Sequence, residues 1–495
     1  MENLLQQAND HMEKASKRTK RHPAFHFTAP AGWINDPNGF SHFKGEYHLY
    51  YQHNPYGTRW DLMHWGHAVS KDLVRWEHRP VALAPEEAYE KDGCFSGSAI
   101  VRGDKLWIMY TGHLEPDKGN RDSFRENQNV AWSGDGIRFV KHAGNPVLDE
   151  KDLPAGFLPQ DFRDPKVFEK DGTFYCVLAA RDGAEGGKVL LYRSGDMLSW
   201  EYHGIAAEGP QGLEEVWECP DLFSLDGREV LLLSVINNRT PDGEGRKGFL
   251  HPTRYLAGTV DVEGCSPAWE REEELDCGFS FYAPQTTVDE KGRRIMVGWL
   301  SPWDADPALD RENGWAGMMS IPRILSVKGN VLHQTPVETV ETLRKLPAVT
   351  YGDLAFSGPM ELDNVEGKRY DLELSVDLGG AQRFEMEFRK GADCATSFAY
   401  DKTQGRFTLD RSRNGDSLPA DTPENEWSRV RHKEYRLEKD RLQLRVLVDD
   451  YSIEVFVDDG RLVFSSLIAP QEDGEGIQFN STGVARIERL EHHRL

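Results

Sequence analysis

The sequence predicts an all-β protein: a five-bladed β-propeller followed by a C-terminal β-sandwich. Three observations predict it. Five times, two strand-like runs meet at a short polar turn around a glycine: Gly45, Gly103, Gly172, Gly227 and Gly292, at steps of 58, 69, 55 and 65 positions. A second marker recurs between the hairpins as Ser70-Lys71-Asp72, Ser133-Gly134-Asp135 and Ser194-Gly195-Asp196, with aspartate steps of 63 and 61. Two independent markers with one period of about 60 residues suit a four-stranded blade with generous loops. Beyond residue 350, apolar and polar residues alternate in run after run, the period of strands with one buried face.

The elements follow in order. Residues 1–21 are polar and charged, with Leu4, Leu5, Ala8, Met12 and Ala15 on one weak helical face. They predict a helical extension and lack the apolar region of a secretory signal. The propeller is expected over residues 22–335. Its hairpins carry aromatic and β-branched second strands such as Tyr47-His48-Leu49-Tyr50-Tyr51 and Leu106-Trp107-Ile108-Met109-Tyr110, the composition strands favour. Val337, Val340 and Leu343 stand at helical spacing and predict a linker helix within 336–349. The sandwich is expected over 350–495. There Leu372, Leu374 and Val376, then Leu442, Leu444 and Val446, then Ile453, Val455 and Val457 alternate with other residues, and Asp459-Gly460 marks a turn.

A chain of 495 residues exceeds the usual single core, which favours two domains. The formal charge of −23 argues against a nucleic-acid or anionic-membrane partner. No apolar run approaches the roughly 20 residues of a membrane span. Six cysteines without close pairing, behind a start Met with no leader, suit a reduced cytoplasm. No Cys/His set has zinc spacing and no acidic loop resembles an EF-hand, so neither metal nor cofactor is expected. The oligomeric state is not legible.

Three predicted first strands begin at acidic motifs: Trp33-Ile34-Asn35-Asp36-Pro37-Asn38-Gly39, Arg163-Asp164-Pro165 and Trp217-Glu218-Cys219-Pro220. First strands line the central channel of a propeller, so Asp36, Asp164 and Glu218 should converge from blades one, three and four. The adjoining prolines should hold each preceding residue extended. One Asp-Pro pair reads as a turn; three motifs in repeat register read as a site. Retaining glycoside hydrolysis needs a nucleophile and an acid/base about 5–5.5 Å apart. The nucleophile needs hydrogen-bond donors, and the acid needs a less polar setting. Asn35, Asn38 and backbone amides are candidate donors to Asp36, whereas Glu218 lies between Trp217 and Cys219. Cys219 reads either as a weak S–H contact to the acid or as a small packing residue. His64 and His67 read either as substrate contacts or as core histidines.

These motifs resemble glycoside hydrolase family 32, the β-fructofuranosidases. The likeness continues through Gln52, Trp60, Phe95-Ser96-Gly97-Ser98-Ala99, Phe281-Tyr282-Ala283-Pro284-Gln285, Gly298-Trp299, Gly314-Trp315-Ala316-Gly317, Pro322-Arg323 and Glu454-Val455-Phe456-Val457. The resemblance implies the same two-domain fold. It implies Asp36 as nucleophile on the anomeric C2 of fructose, Glu218 as acid/base, and Asp164 as the carboxylate that holds fructose hydroxyls. It implies that Arg163 tunes these acids, that Asn35, Gln52 and Ser96 bond the fructose ring, and that Trp60, Phe95 and Trp299 pack its apolar faces. Lys91 to Ala99 is similar to the bacterial intracellular sucrose and sucrose-6-phosphate branch. Ile34, Phe40 and a Pro159-Gln160-Asp161 run without His depart from the common pattern.

The function expected is a retaining, exo-acting hydrolase of terminal β-D-fructofuranosides, with a small sugar as its partner. The alternatives are a transfructosylase, a sugar-binding propeller without catalysis, and a propeller glycosidase for arabinose or xylose polymers. A phosphate on the substrate would need a cation at the funnel rim, for which Arg59, Arg121 and Arg125 are candidates.

Overall fold

The structure is a computed structural model that describes residues 3–183, 186–209, 215–237, 251–301, 313–414 and 429–495. Among the described residues, twenty strands form five antiparallel four-stranded blades, each built from strands in sequence order. Blade 1 comprises Gly32–Phe43, Glu46–Asn54, His64–Ser70 and Trp76–Leu83; blade 2 comprises Gly93–Arg102, Lys105–Leu114, Arg125–Ser133 and Val140–Lys141. Blade 3 comprises Arg163–Lys170, Thr173–Asp182, Gly186–Ser194 and Glu201–Glu208; blade 4 comprises Glu215–Leu225, Arg228–Asn237, Thr253–Asp261 and Ser266–Glu274. Blade 5 comprises Tyr282–Val288, Arg294–Trp299, Arg323–Lys328 and Val331–Pro336. The first strands pack on one another in a closed ring, blade 5 against blade 1. A short strand, Trp315–Ala316, pairs in parallel with Gly32 and Trp33 and ties the two ends of the ring together.

Every first strand breaks register with its neighbour at one level. The unpaired dipeptides are Asn35-Asp36, Phe95-Ser96, Asp164-Pro165, Cys219-Pro220 and Ala283-Pro284. A bulge leaves extra residues off the ladder and re-aims their side chains. The prolines fit there because a bulge asks for no ladder N–H. Extended geometry before the bulge prolines fails in blades 3, 4 and 5. Asp164 has φ +63°, Cys219 +50° and Ala283 +48°, all left-handed. The bulge imposes this conformation despite its cost for residues with a Cβ.

The second repeat marker is one hydrogen-bonded turn used three times. Ser70 Oγ accepts from Leu73 N at 2.8 Å, and Asp72 Oδ1 accepts from Arg75 N at 2.7 Å. Ser133 with Asp135 and Ser194 with Asp196 repeat both bonds. Each turn joins the third strand of its blade to the fourth. Side chains thus satisfy backbone amides that the sheet cannot.

The N-terminal helix, Leu4–Ala15, lies on the outer strand of blade 1, where Asn9 Oδ1 accepts from Val81 N at 2.8 Å. Between propeller and sandwich, within the span of the expected linker helix, the chain forms a short 3-10 helix, Glu338–Leu343. The next strand, Val349–Met360, pairs along the final strand, Gly476–Arg494. That 19-residue strand also pairs with Arg383–Lys390 through its first half and with Tyr370–Asp377 through its second. It therefore links both layers of the sandwich, whose core includes Leu372, Met386, Phe398, Phe407, Val446 and Val455.

The domains share a core in which Phe27, Ile321 and Val340 meet Leu447, Phe456 and Val463. A polar network is buried in the same interface. Glu454 Oε1 accepts from Ile321 N and lies 3.0 Å from His26 Nε2, while Glu454 Oε2 accepts from Arg323 at 2.6 Å. Asp449 Oδ2 lies 2.9 Å from His26 Nδ1. All six cysteines are free thiols. Among the described residues, no helix is long and apolar enough to cross a membrane.

Candidate active site

The bulges of blades 1, 2 and 3 and the strand residue just before the bulge of blade 4 open on one cavity of about 340 Å³. Asn35, Asp36, Gln52, Trp60, Phe95 and Ser96 line it from blades 1 and 2, and Arg163, Asp164 and Glu218 from blades 3 and 4. The three expected carboxyl groups therefore meet, although their sequence positions span 182 residues (218 − 36).

Each carboxyl group sits in its own setting. Asp36 is buried and surrounded by donors: Asn35 Nδ2 at 3.1 Å, Ser96 Oγ at 2.6 Å and Cys219 Sγ at 3.4 Å. Burial pushes its pKa above the ordinary range and the Glu218 charge adds to that, while the three donors hold it down. Asn38, expected among the donors, makes no bond to it; Ser96, from the neighbouring blade, takes that place. Trp33 Nε1 donates to Asn35 Oδ1 at 2.8 Å and so fixes the amide.

Asp164 Oδ2 accepts from Cys219 N at 2.9 Å, and its own N–H donates to Thr111 Oγ1 at 3.0 Å. Burial raises its pKa to about 7 against the pull of Arg163, with Glu218 and Asp36 adding repulsion. Glu218 is held at both oxygens: Arg163 Nη2 donates to Oε1 at 2.8 Å and Tyr282 Oη donates to Oε2 at 2.6 Å. Cys219 touches the two aspartates rather than the glutamate, with Sγ 3.6 Å from Asp164 Oδ2. Burial and three carboxylates push its thiol well above the ordinary range, so it remains a donor.

The other expected residues divide into two groups. Gln52 is fixed by donating to Cys94 O at 3.0 Å. Trp60 is half exposed and meets Phe95 edge-on, centroids 5.9 Å apart. Trp299 does not reach the cavity. It is fully buried behind the wall, in a cluster with Trp33, Cys219, Tyr282 and Ala283. His64 and His67 are core residues of blade 1, and His67 Nε2 lies 3.1 Å from His48 Nδ1.

Sequence reasoning missed much of the far wall. His113 stacks flat on Phe95 at 4.1 Å. Burial opposes its charge, but Glu126 at 3.0 Å and Glu115 at 3.2 Å outweigh it and raise its pKa. Phe124, Glu126, Gln160 and His251 also line the cavity, and Tyr282 reaches Glu218. Tyr282 and Gln160 stood in quoted runs but were given no role; the others lay in strands and loops that carried no repeat signal. Among the described residues no three His, Cys, Asp or Glu side chains come together to hold a metal ion.

Comparison with known proteins decides the family. Residues 26–336 match the glycosyl hydrolases family 32 N-terminal domain, and residues 337–494 match the family 32 C terminal. The chain belongs to glycosyl hydrolase family 32. Among family 32 relatives, Escherichia coli sucrose-6-phosphate hydrolase is 35% identical, covering 94% of this chain and 93% of its own. Escherichia coli raffinose invertase is 36% identical over 96% of this chain and 95% of its own. The solved Bombyx mori GH32 β-fructofuranosidase superposes with a TM-score of 0.82 at 32% identity, covering 100% of this chain and 98% of that one. A mutant of that enzyme has been solved in complex with sucrose. This family 32 protein is accordingly a β-fructofuranosidase-class glycosidase with the propeller-and-sandwich fold.

Proposed function

We propose that the protein is a retaining, exo-acting β-fructofuranosidase that cleaves sucrose or its 6-phosphate through a covalent fructosyl-enzyme intermediate. The observation that carries this reading is the unequal surrounding of two carboxyl groups on one cavity. Asp36 has three donors and, among the described residues, no cation within ion-pair distance, the setting of an ionised nucleophile. Glu218, on the same cavity, is held at both oxygens by Arg163 and Tyr282, a more polar setting than its sequence neighbours suggested, and is read as the acid/base.

In the first step Asp36 attacks C2 of the fructosyl unit as the C2–O bond breaks, and Glu218 gives its proton to the departing oxygen. In the second, Glu218 takes a proton from water as the water oxygen displaces Asp36. Asp164, which lines the same cavity, holds ring hydroxyls as positive charge develops at C2. Asn35, Gln52 and Ser96 supply polar contacts to the ring, while Trp60 and Phe95 cover its apolar edges. Six free cysteines support a cytoplasmic sugar hydrolase.

The test is to incubate the protein with sucrose and quantify glucose and fructose separately, beside Asp36→Asn and Glu218→Gln variants. Equal release of both sugars, lost about 10³-fold or more in each variant, fits the proposal. Glucose in excess of fructose would make it a transfructosylase. Variants with full activity would remove Asp36 and Glu218 as the catalytic pair, and no sugar release by the unaltered protein would leave a sugar-binding propeller without catalysis. Glu218→Gln should lose less on substrates with good leaving groups; equal losses would remove its role as acid.

A further inference from the structure

A chain of ion pairs leads from Glu218 to the rim of the cavity. Arg163 joins Glu218 to Asp161, and Asp161, itself fully buried, joins Arg163 to Arg121. Asp161 Oδ1 accepts from Arg163 Nη1 at 3.1 Å and from Arg121 Nη2 at 3.0 Å, while Oδ2 accepts from Arg181 Nε at 2.8 Å. Three guanidinium groups thus converge on one carboxylate. Arg163 has Glu218 as a second partner, but Arg121 and Arg181 have no second carboxylate within ion-pair distance among the described residues. Their surplus charge reaches the cavity at Arg121, which lines it with a side chain 48% exposed.

The two other rim candidates stand off the cavity wall. Arg125 is turned to Glu150 at 3.2 Å and to the carbonyls of Asp122 and Phe124. Arg59 is not part of the wall. Arg121 sits on the loop between the second and third strands of blade 2, outside the level of the bulges. A fructosyl unit seated on Asp36 and Asp164 would leave its aglycone at this outer level. Only one Arg121 nitrogen is spent on Asp161, so the rest of the guanidinium fork is left for a tetrahedral oxyanion.

We infer that Arg121 is a specificity-determining residue that binds a phosphate monoester on the leaving-group sugar, with Asp161 as its anchor. This rests on the fructosidase reading above. Sucrose 6-phosphate is then preferred over sucrose, and the preference weakens as ionic strength rises.

The experiment measures kcat/KM for sucrose and for sucrose 6-phosphate in the unaltered protein, Arg121→Gln, Arg121→Lys and Arg125→Gln. The ratio of the two values should favour the phosphorylated substrate and fall about 10- to 100-fold in Arg121→Gln, the range for a lost charge-assisted bond. Arg121→Lys should recover part of it, and Arg125→Gln should leave the ratio in place. An unchanged ratio in Arg121→Gln, or an equal fall in Arg125→Gln, overturns the inference. Calorimetry with glucose 6-phosphate provides a readout without turnover: binding should weaken in Arg121→Gln by a similar factor. If the unaltered protein cleaves neither substrate, the fructosidase reading fails instead. The calorimetry then decides the anion site by itself, and equal glucose 6-phosphate binding in both proteins removes it.

Discussion

Asp36 is buried, yet its proposed role requires an anion. Ser96 Oγ at 2.6 Å is the strongest restraint on its charge besides the asparagine and the thiol. A hydrogen bond to the ionised form lowers a pKa, so Ser96→Ala should raise it. The acid limb of kcat/KM against pH should move upward by about one unit, the equivalent of one such bond. An unmoved limb would mean that another group sets it. Asp164 titrates near 7 by the balance of burial, Arg163 and its two neighbours. Removing the cation in Arg163→Met should push it higher still and confine activity to a changed pH range. The acidic motifs identified these residues because chemistry confines the choice of side chain. Ser96 and Gln52 entered only through family resemblance, and the role of Cys219 depended on which residues the bulges brought beside it.

A blade places its functional side chains through its bulge, which no propensity scale registers. The signal available was the spacing: the bulge starts eight to ten residues before each turn glycine, as at Asn35 and Gly45 or Phe95 and Gly103. Blade 1 has a further property. His48 and His64 are pushed by burial to pKa values of about 4 and His53 to about 3, and His67 lies well below its ordinary value. All four are neutral in the fold and gain protons on unfolding below about 6.5. Their contribution to stability is intact above that pH and is lost as pH falls through 4 and 3. Blade 1 should therefore open first in acid. Hydrogen exchange at pH 4.5, corrected for intrinsic rates, should show amides in Glu46–Asn54 and His64–Ser70 losing protection before those in blade 3. Uniform loss across the blades would refute this.

Across the whole molecule, the interface network of His26, Asp449, Glu454 and Arg323 joins propeller to sandwich. Burial opposes the His26 charge, but bonds to Asp449 and Glu454 raise its pKa to about 9. Burial likewise opposes the two carboxylates, yet His26 holds Asp449, and Arg323 with His26 holds Glu454, at about 2. The His26 contribution is full below about 6.5 and lost as pH rises through 9. The carboxylate contributions are full above about 4.5 and lost as pH falls through 2. The clamp is therefore strongest between about 4.5 and 6.5. His26→Gln leaves buried charge unpaired and should cost about 3 to 5 kcal/mol in that window. The Tm difference from the unaltered protein should shrink toward pH 9.5, where His26 has lost its charge. A difference that is flat with pH would assign His26 a packing role alone.

The sequence by itself determined the fold class, because strand alternation and a repeat near 60 residues are local patterns that any chain must display to build blades. It also determined that three acidic motifs share one repeat register. Only the tertiary structure decided which side chains reach the cavity. It turned Asp164 and Cys219 left-handed, put Trp299 behind the wall, moved Cys219 from the acid to the aspartates, and brought His113, Gln160 and Arg121 to the rim. Those outcomes depend on contacts between blades. Residues 60 positions apart become neighbours only when the ring closes, and no local pattern encodes which of them then touch.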